Sequence, residues 1–147
     1  MPPLASNKKA LHDYEFLEKF EGGLKLTGPE VRSVKDGHIQ LQGSFLHIRN
    51  RELWLKNATV SKYAPAGPQL GYDPIRDKKV LLHRREINRI MGKIQEKGLT
   101  LVPISVYTHA ALIKIEFALA RGKKQYEKRE TIKKRDVQRE MRARMKG

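Results

Sequence analysis

Leu99-Thr100-Leu101-Val102-Pro103-Ile104-Ser105-Val106-Tyr107, followed by Leu112-Ile113-Lys114-Ile115-Glu116-Phe117-Ala118-Leu119-Ala120, reads as two strands joined around His109. Upstream, Ile87, Ile90, Met91 and Ile94 fall at i, i+3, i+4 and i+7, which predicts a surface helix over 84–97 ending at Gly98. Pro65, Gly67, Pro68, Gly71 and Pro74 mark a loop before it. Phe45, Leu46 and Ile48, then Leu53, Trp54 and Leu55, predict a hairpin turning at Asn50 and Arg51. Thr27 offers an N-cap to a short helix from Pro29, with Val31 and Val34 three apart and Gly37 near its end. The first β-rich run, from Tyr14 and Phe16 through Leu26, holds Gly22-Gly23, where a bulge or sharp bend is expected. The order is strand, helix, hairpin, loop, helix, hairpin. It predicts a mainly β fold: an antiparallel barrel of the oligonucleotide-binding (OB-like) type, with short flanking helices. No internal repeat is visible, and 147 residues suit one core.

Charge separates a body, residues 1–120, from a tail, residues 121–147. The chain has a net charge of +15. Its last 27 residues hold 12 Lys/Arg against 4 Asp/Glu, a charge density about five times that of the body. Charge of this size favours polyanionic partners, nucleic acid above all. The tail has few apolar side chains, too few to offset its ordering entropy, so it is expected to be disordered when free and to fold on a polyanion. Val137, Met141 and Met145 follow at i, i+4 and i+8, and Glu130 precedes Lys134 as Glu140 precedes Arg144. These spacings describe a latent basic helix. A solubilising tail is the plainer reading of the same composition.

Several functions lack their signatures. Zero cysteines leave no disulfide framework, thiolate metal site or cysteine nucleophile. His12, His38, His47, His83 and His109 form no H-x-x-x-H pair, so no metal or other cofactor is expected. Neither G-x-S-x-G nor a complete phosphate-loop motif occurs; Phe117 stands where the first glycine preceding Gly122-Lys123-Lys124 would be. His12 and Asp13, read as strand neighbours facing opposite sides, are not expected to act together. No enzyme activity is expected. No stretch approaches a bilayer span and the N-terminus lacks an apolar core, so the expectation is a cytoplasmic protein with no membrane contact.

The ordered pieces of body and tail resemble the small protein B (SmpB) family of tmRNA-binding proteins, almost end to end. They are Asn7-Lys8-Lys9-Ala10 with His12-Asp13-Tyr14, Phe20-Glu21-Gly22-Gly23-Leu24, and Gly28-Pro29-Glu30-Val31-Arg32-Ser33. Asp73-Pro74-Ile75-Arg76, Lys79-Val80-Leu81-Leu82-His83, Leu99-Thr100-Leu101-Val102-Pro103 and Gly122-Lys123-Lys124-Gln125-Tyr126-Glu127-Lys128-Arg129 continue them. Leu11, Gly23, Pro29 and Glu127 depart from the family's commoner residues.

The resemblance implies a body that grips the tRNA-like domain of tmRNA at its D-loop and elbow, standing in for a missing anticodon stem. Asn7, Lys8, Glu21, Leu81 and His83 are the implied contacts. Alanine-charged tmRNA, delivered with elongation factor Tu, would then enter a stalled ribosome for trans-translation. The tail would occupy the decoding centre and the empty mRNA channel. Its implied contacts with small-subunit rRNA are Gly122, Lys123, Lys124, Tyr126, Glu127, Lys128, Arg129, Lys133, Lys134, Arg135 and Met145, with Gly122 as the exit hinge. Composition alone leaves open a general basic ribosome-associated or nucleoid-type protein, and a small basic nuclease is the enzyme-class alternative.

Overall fold

A computed structural model describes residues 3–67 and 69–123. Its strands are β1 (Ala5–Ser6), β2 (Tyr14–Leu24), β3 (Ile39–Gln40), β4 (Phe45–Arg49), β5 (Glu52–Lys56), β6 (Thr59–Val60), β7 (Lys78–Leu81), β8 (Thr100–His109) and β9 (Leu112–Gly122). Its α-helices are α1 (Lys8–Asp13), α2 (Gly28–Lys35) and α3 (Arg84–Lys97). Hydrogen bonds order the main sheet β1-β8-β9-β2-β7-β5-β4, every ladder antiparallel, while β3 and β6 form a separate pair. Curvature brings β4 back against β8, giving the sheet a barrel-like form.

The inner face is apolar because side chains alternate along each strand. Phe20 on β2 stacks on Phe117 on β9 with ring centroids 5.7 Å apart. Leu53, Leu55, Val80, Ile115 and Leu119 complete the middle of the core. Full burial of one such side chain contributes about 1.5–3 kcal/mol. α3 lies over the gap between β4 and β8, where Met91 and Ile94 share a cleft with Leu46, Ile48 and Leu101. Its Ile87 and Ile90 are buried, and Gly98 closes it at φ 62°, donating its N–H to Ile94 O. Glu18 ties β2 to this helix through Lys93 and through Arg89, 2.6 Å away. The hydrogen bond from Lys93 holds the Glu18 carboxyl below its ordinary value against partial burial, and the Arg89 charge adds to it.

The β4–β5 hairpin turns at Asn50 and Arg51 as expected, with φ of 52° and 60°, the left-handed pair that a two-residue turn requires. Thr27 and Glu30 form a reciprocal capping box at the start of α2. Two readings need correction. The bulge in β2 falls between Phe16 and Glu18, not at the glycines. A Cβ on Gly22 would lie 2.7 Å from Val80 Cγ1, so that glycine serves the close approach of β7. His12 and Asp13 end α1 instead of lying on a strand, and His12 Nδ1 meets Asp13 Oδ1 at 2.8 Å.

Among the elements with no counterpart in the sequence reading are α1 and β7. α1 packs Ala10 on the outer face of the sheet against Val102, Ala118 and Ala120. β7 begins with Lys78, fully buried, whose Nζ donates to Ala58 O at 3.1 Å and Arg76 O at 2.7 Å. Burial pulls the Lys78 ammonium below the ordinary lysine value, and the nearby Glu30 charge opposes that pull.

Candidate nucleic-acid interface

The candidate site is a groove of about 330 Å³ on the outer face of the sheet, where β2, β7, β9 and the start of α3 meet. Pairing of Gly23 with Leu81 and with Lys114 places the three strands side by side. Alternation puts Phe20 and Leu24 inward and Glu21 outward, where its side chain is 54% exposed. Leu81, at the end of β7, is 51% exposed, an apolar side chain left open to solvent. His83 follows as the N-cap of α3, yet its side chain makes no capping bond. Gly23 adds no side chain beside Leu81; a Cβ there would come within 3.6 Å of Leu81 Cβ. The groove therefore owes its width to a glycine on one wall.

Glu21 is held from two sides. Lys114 Nζ on β9 lies 3.7 Å from Glu21 Oε1. Tyr107 on β8 stands opposite Lys114. Burial, then a hydrogen bond to Glu21 and the charges of Glu21 and Glu116, push the Tyr107 hydroxyl far above the ordinary phenol value. The phenol thus stays protonated beside the carboxylate. Arg84 and Arg85, both exposed, join His83 and Glu86 around an adjoining depression at the start of α3.

This set suits folded RNA. A carboxylate accepts from guanine N–H groups or a ribose hydroxyl, an exposed leucine packs under a base or ribose, and an imidazole stacks or hydrogen-bonds. Lys114, Arg84 and Arg85 supply cations for phosphates, helped by the helix N-terminus.

Of the residues expected to touch RNA on the body, Glu21, Leu81 and His83 come together in this groove. Asn7 and Lys8 do not. Asn7 caps α1, its Oδ1 accepting from Ala10 N at 3.3 Å while its Nδ2 donates to Pro103 O at 3.0 Å. It lines a separate depression with Lys9, Asp13 and Tyr14. Lys8 is exposed on α1. Lys114, Tyr107, Arg84 and Arg85 were missed by sequence reasoning. Lys114 had a signal, a polar side chain between Ile113 and Ile115 on a strand, which marks an outward position.

At the start of the tail, β9 runs through the expected boundary at residue 121. Arg121 Nε lies 2.6 Å from Glu15 Oε2, and Gly122 is paired with Tyr14 in the ladder. Lys123 N donates to Asp13 O at 2.8 Å and its Nζ to Leu11 O at 3.1 Å. Gly122 has no positive φ, and a Cβ there would meet nothing within 4 Å. Lys124, Tyr126, Glu127, Lys128, Arg129, Lys133, Lys134, Arg135 and Met145 lie outside the described residues. Among the described residues, no group of three His, Asp or Glu side chains is placed to hold a metal ion. Nor is any helix among them long and apolar enough to cross a membrane.

Comparison with known proteins agrees in one direction. The pattern of the SmpB protein family matches residues 4–147. The chain is 49% identical over 144 residues to the SsrA-binding protein of Sulfurihydrogenibium sp. (strain YO3AOP1), covering 98% of this chain and 94% of that one. It is 48% identical to the SsrA-binding protein of Persephonella marina (strain DSM 14350 / EX-H1), with the same coverage. A solved chain described under "tmRNA-SmpB: a journey to the center of the bacterial ribosome" is 42% identical and superposes with a TM-score of 0.65, covering 82% of this chain and 84% of that one.

Proposed function

The chain belongs to the SmpB family, and from that membership we propose that the groove at Glu21, Leu81 and His83 is where its body holds tmRNA. The protein is an RNA-binding factor, not an enzyme; it binds tmRNA and serves the rescue of stalled ribosomes. One observation carries the assignment of the groove: three residues from β2, β7 and the cap of α3 converge there with the chemistry that reads an unstacked nucleotide.

Within that function, the groove takes the D-loop and elbow of the tRNA-like domain, and the body replaces an anticodon stem. Elongation factor Tu meets the chain only through alanyl-tmRNA, in the cytoplasm. The tail beyond Lys123 enters the decoding centre and the vacant mRNA channel, where Lys124, Lys128, Arg129, Lys133, Lys134 and Arg135 neutralise rRNA phosphates. Tyr126 stacks on a decoding-centre base, Glu127 and Met145 lie along the same path, and Gly122 with Lys123 marks the exit from the body. Asn7 acts indirectly, by fixing α1 and so the exposed Lys8.

Identifying the RNA that copurifies with the full chain tests this reading. Enrichment of tmRNA far above its cellular share is expected. RNA recovered in proportion to abundance would instead support a general basic ribosome-associated or nucleoid-type protein.

A further inference from the structure

The outer face that carries Leu81 continues across β7 onto β5 and β4. Lys79 lies two residues before Leu81, on the same face and roughly 7 Å along the strand. Register sets Lys79 opposite Trp54, and Trp54 opposite His47. On the other flank of β7, Lys25 N donates to Lys79 O at 2.9 Å, extending the row back to the end of β2. Lys25 and His47 are exposed, and Trp54 and Lys79 are partly so. The Arg49 guanidinium carbon sits 5.4 Å from the Trp54 ring centroid. Beside the indole lies a cleft of about 230 Å³, walled by Lys25, Leu26, Thr27, Arg76 and Lys79. Glu52, 3.3 Å from Lys79 Nζ, and Glu30, paired with Arg76, are the carboxylates that meet these cations.

We propose that this row is a second RNA station: an unpaired nucleotide of the RNA held at Glu21 stacks against Trp54, and its flanking phosphates meet Lys25 and Lys79. The inference rests on the groove assignment and extends its footprint by about two strand widths. An aromatic ring set among cations is the combination that single-stranded nucleic acid uses, with stacking tolerant of base identity and the cations tracking the backbone. Arg49, already over the indole, holds the ring in place and adds positive charge beside the stacked base. Continuity with the groove argues for the same RNA instead of a separate acidic partner, because Leu81 and Lys79 are neighbours on one face of one strand.

Trp54 is the only tryptophan in the chain, so its emission reports on this row alone. The full-length protein is titrated with the tRNA-like domain of tmRNA, beside Trp54→Leu, Lys25→Ala, Lys79→Ala and Glu21→Ala. The expected result is quenching of Trp54 emission that follows binding. Trp54→Leu should lose about tenfold in affinity with an unchanged melting temperature. Lys25→Ala and Lys79→Ala should each lower the slope of log affinity against log salt by about one. Unchanged emission at saturating RNA and normal affinity in Trp54→Leu, with Glu21→Ala still weakened, would overturn the second station and confine the RNA to the groove. Normal affinity in both Trp54→Leu and Glu21→Ala would overturn the station and the groove together.

Discussion

Arg76 Nη2 lies 2.5 Å from Glu30 Oε1 across 46 residues of sequence, joining the loop before β7 to the first turn of α2. Glu30 is 1% exposed and also accepts from Thr27 N at 2.9 Å, so one carboxylate caps a helix and anchors a loop. Burial alone would raise its proton affinity; the Arg76 hydrogen bond and the Thr27 N–H more than reverse this, holding the carboxyl below its ordinary value.

The first prediction concerns that pair. A carboxyl lowered in the fold contributes stability that is complete above the ordinary carboxylate value and disappears as pH falls through the lowered one. Denaturant unfolding should therefore show acid destabilisation that Glu30→Gln diminishes. Arg76→Ala should cost about 2 kcal/mol at neutral pH, below the usual range for a broken buried pair because Arg76 is 43% exposed. Glu30→Gln keeps a capping side chain and should cost less, about 1 kcal/mol. Equal stability of Arg76→Ala and the unaltered chain would refute the anchor.

Gly22 and Gly122 should respond in opposite ways. A Cβ on Gly22 meets Val80 Cγ1 at 2.7 Å and Leu81 O at 3.1 Å, so Gly22→Ala should destabilise by about 1–3 kcal/mol and disturb the groove. Gly122→Val meets open space and should change stability by less than about 0.5 kcal/mol while sparing tmRNA affinity. If Gly122 serves as the exit hinge on the ribosome, the same variant slows alanine transfer to the stalled chain. Transfer at the normal rate would remove the hinge.

The order in which these features could be read follows from how local their causes are. α3 was legible because Ile87, Ile90, Met91 and Ile94 repeat at helical spacing within eight residues. The β4–β5 hairpin was legible for the same reason: its register depends on its own two turn residues. β7 was not, since it is four residues long and begins with two lysines, one of them buried with its ammonium donating hydrogen bonds to Ala58 O and Arg76 O. α1 escaped because it buries a single alanine and shows no stripe. Glu21 and Leu81 are 60 residues apart, and only the β2–β7 ladder brings them together. No periodicity encodes that, so resemblance to a family was the sole route to the groove. Asn7 lies apart from that groove, its amide hydrogen-bonded inside the fold.

The tail and the body should separate in function. Truncation after Gln125 keeps all of β9 and the Lys123 contacts with Asp13 and Leu11, so the fold and tmRNA affinity should survive. Alanine transfer on a ribosome with an empty mRNA channel should be lost. A ribosome whose mRNA extends well past the decoding site should also reject the full-length factor. Full-rate transfer by the truncated chain would reduce the tail to a solubility device.

Competition binding tests the central claim most directly. Labelled tRNA-like domain of tmRNA is titrated with the full chain and with Glu21→Ala in a large excess of unrelated duplex RNA, at fixed physiological salt. The predicted result is binding that withstands the duplex and weakens in Glu21→Ala by about 1–3 kcal/mol, as for a lost charged hydrogen bond, with circular dichroism unchanged. Displacement by the duplex, or the same affinity in Glu21→Ala as in the unaltered chain, would contradict it.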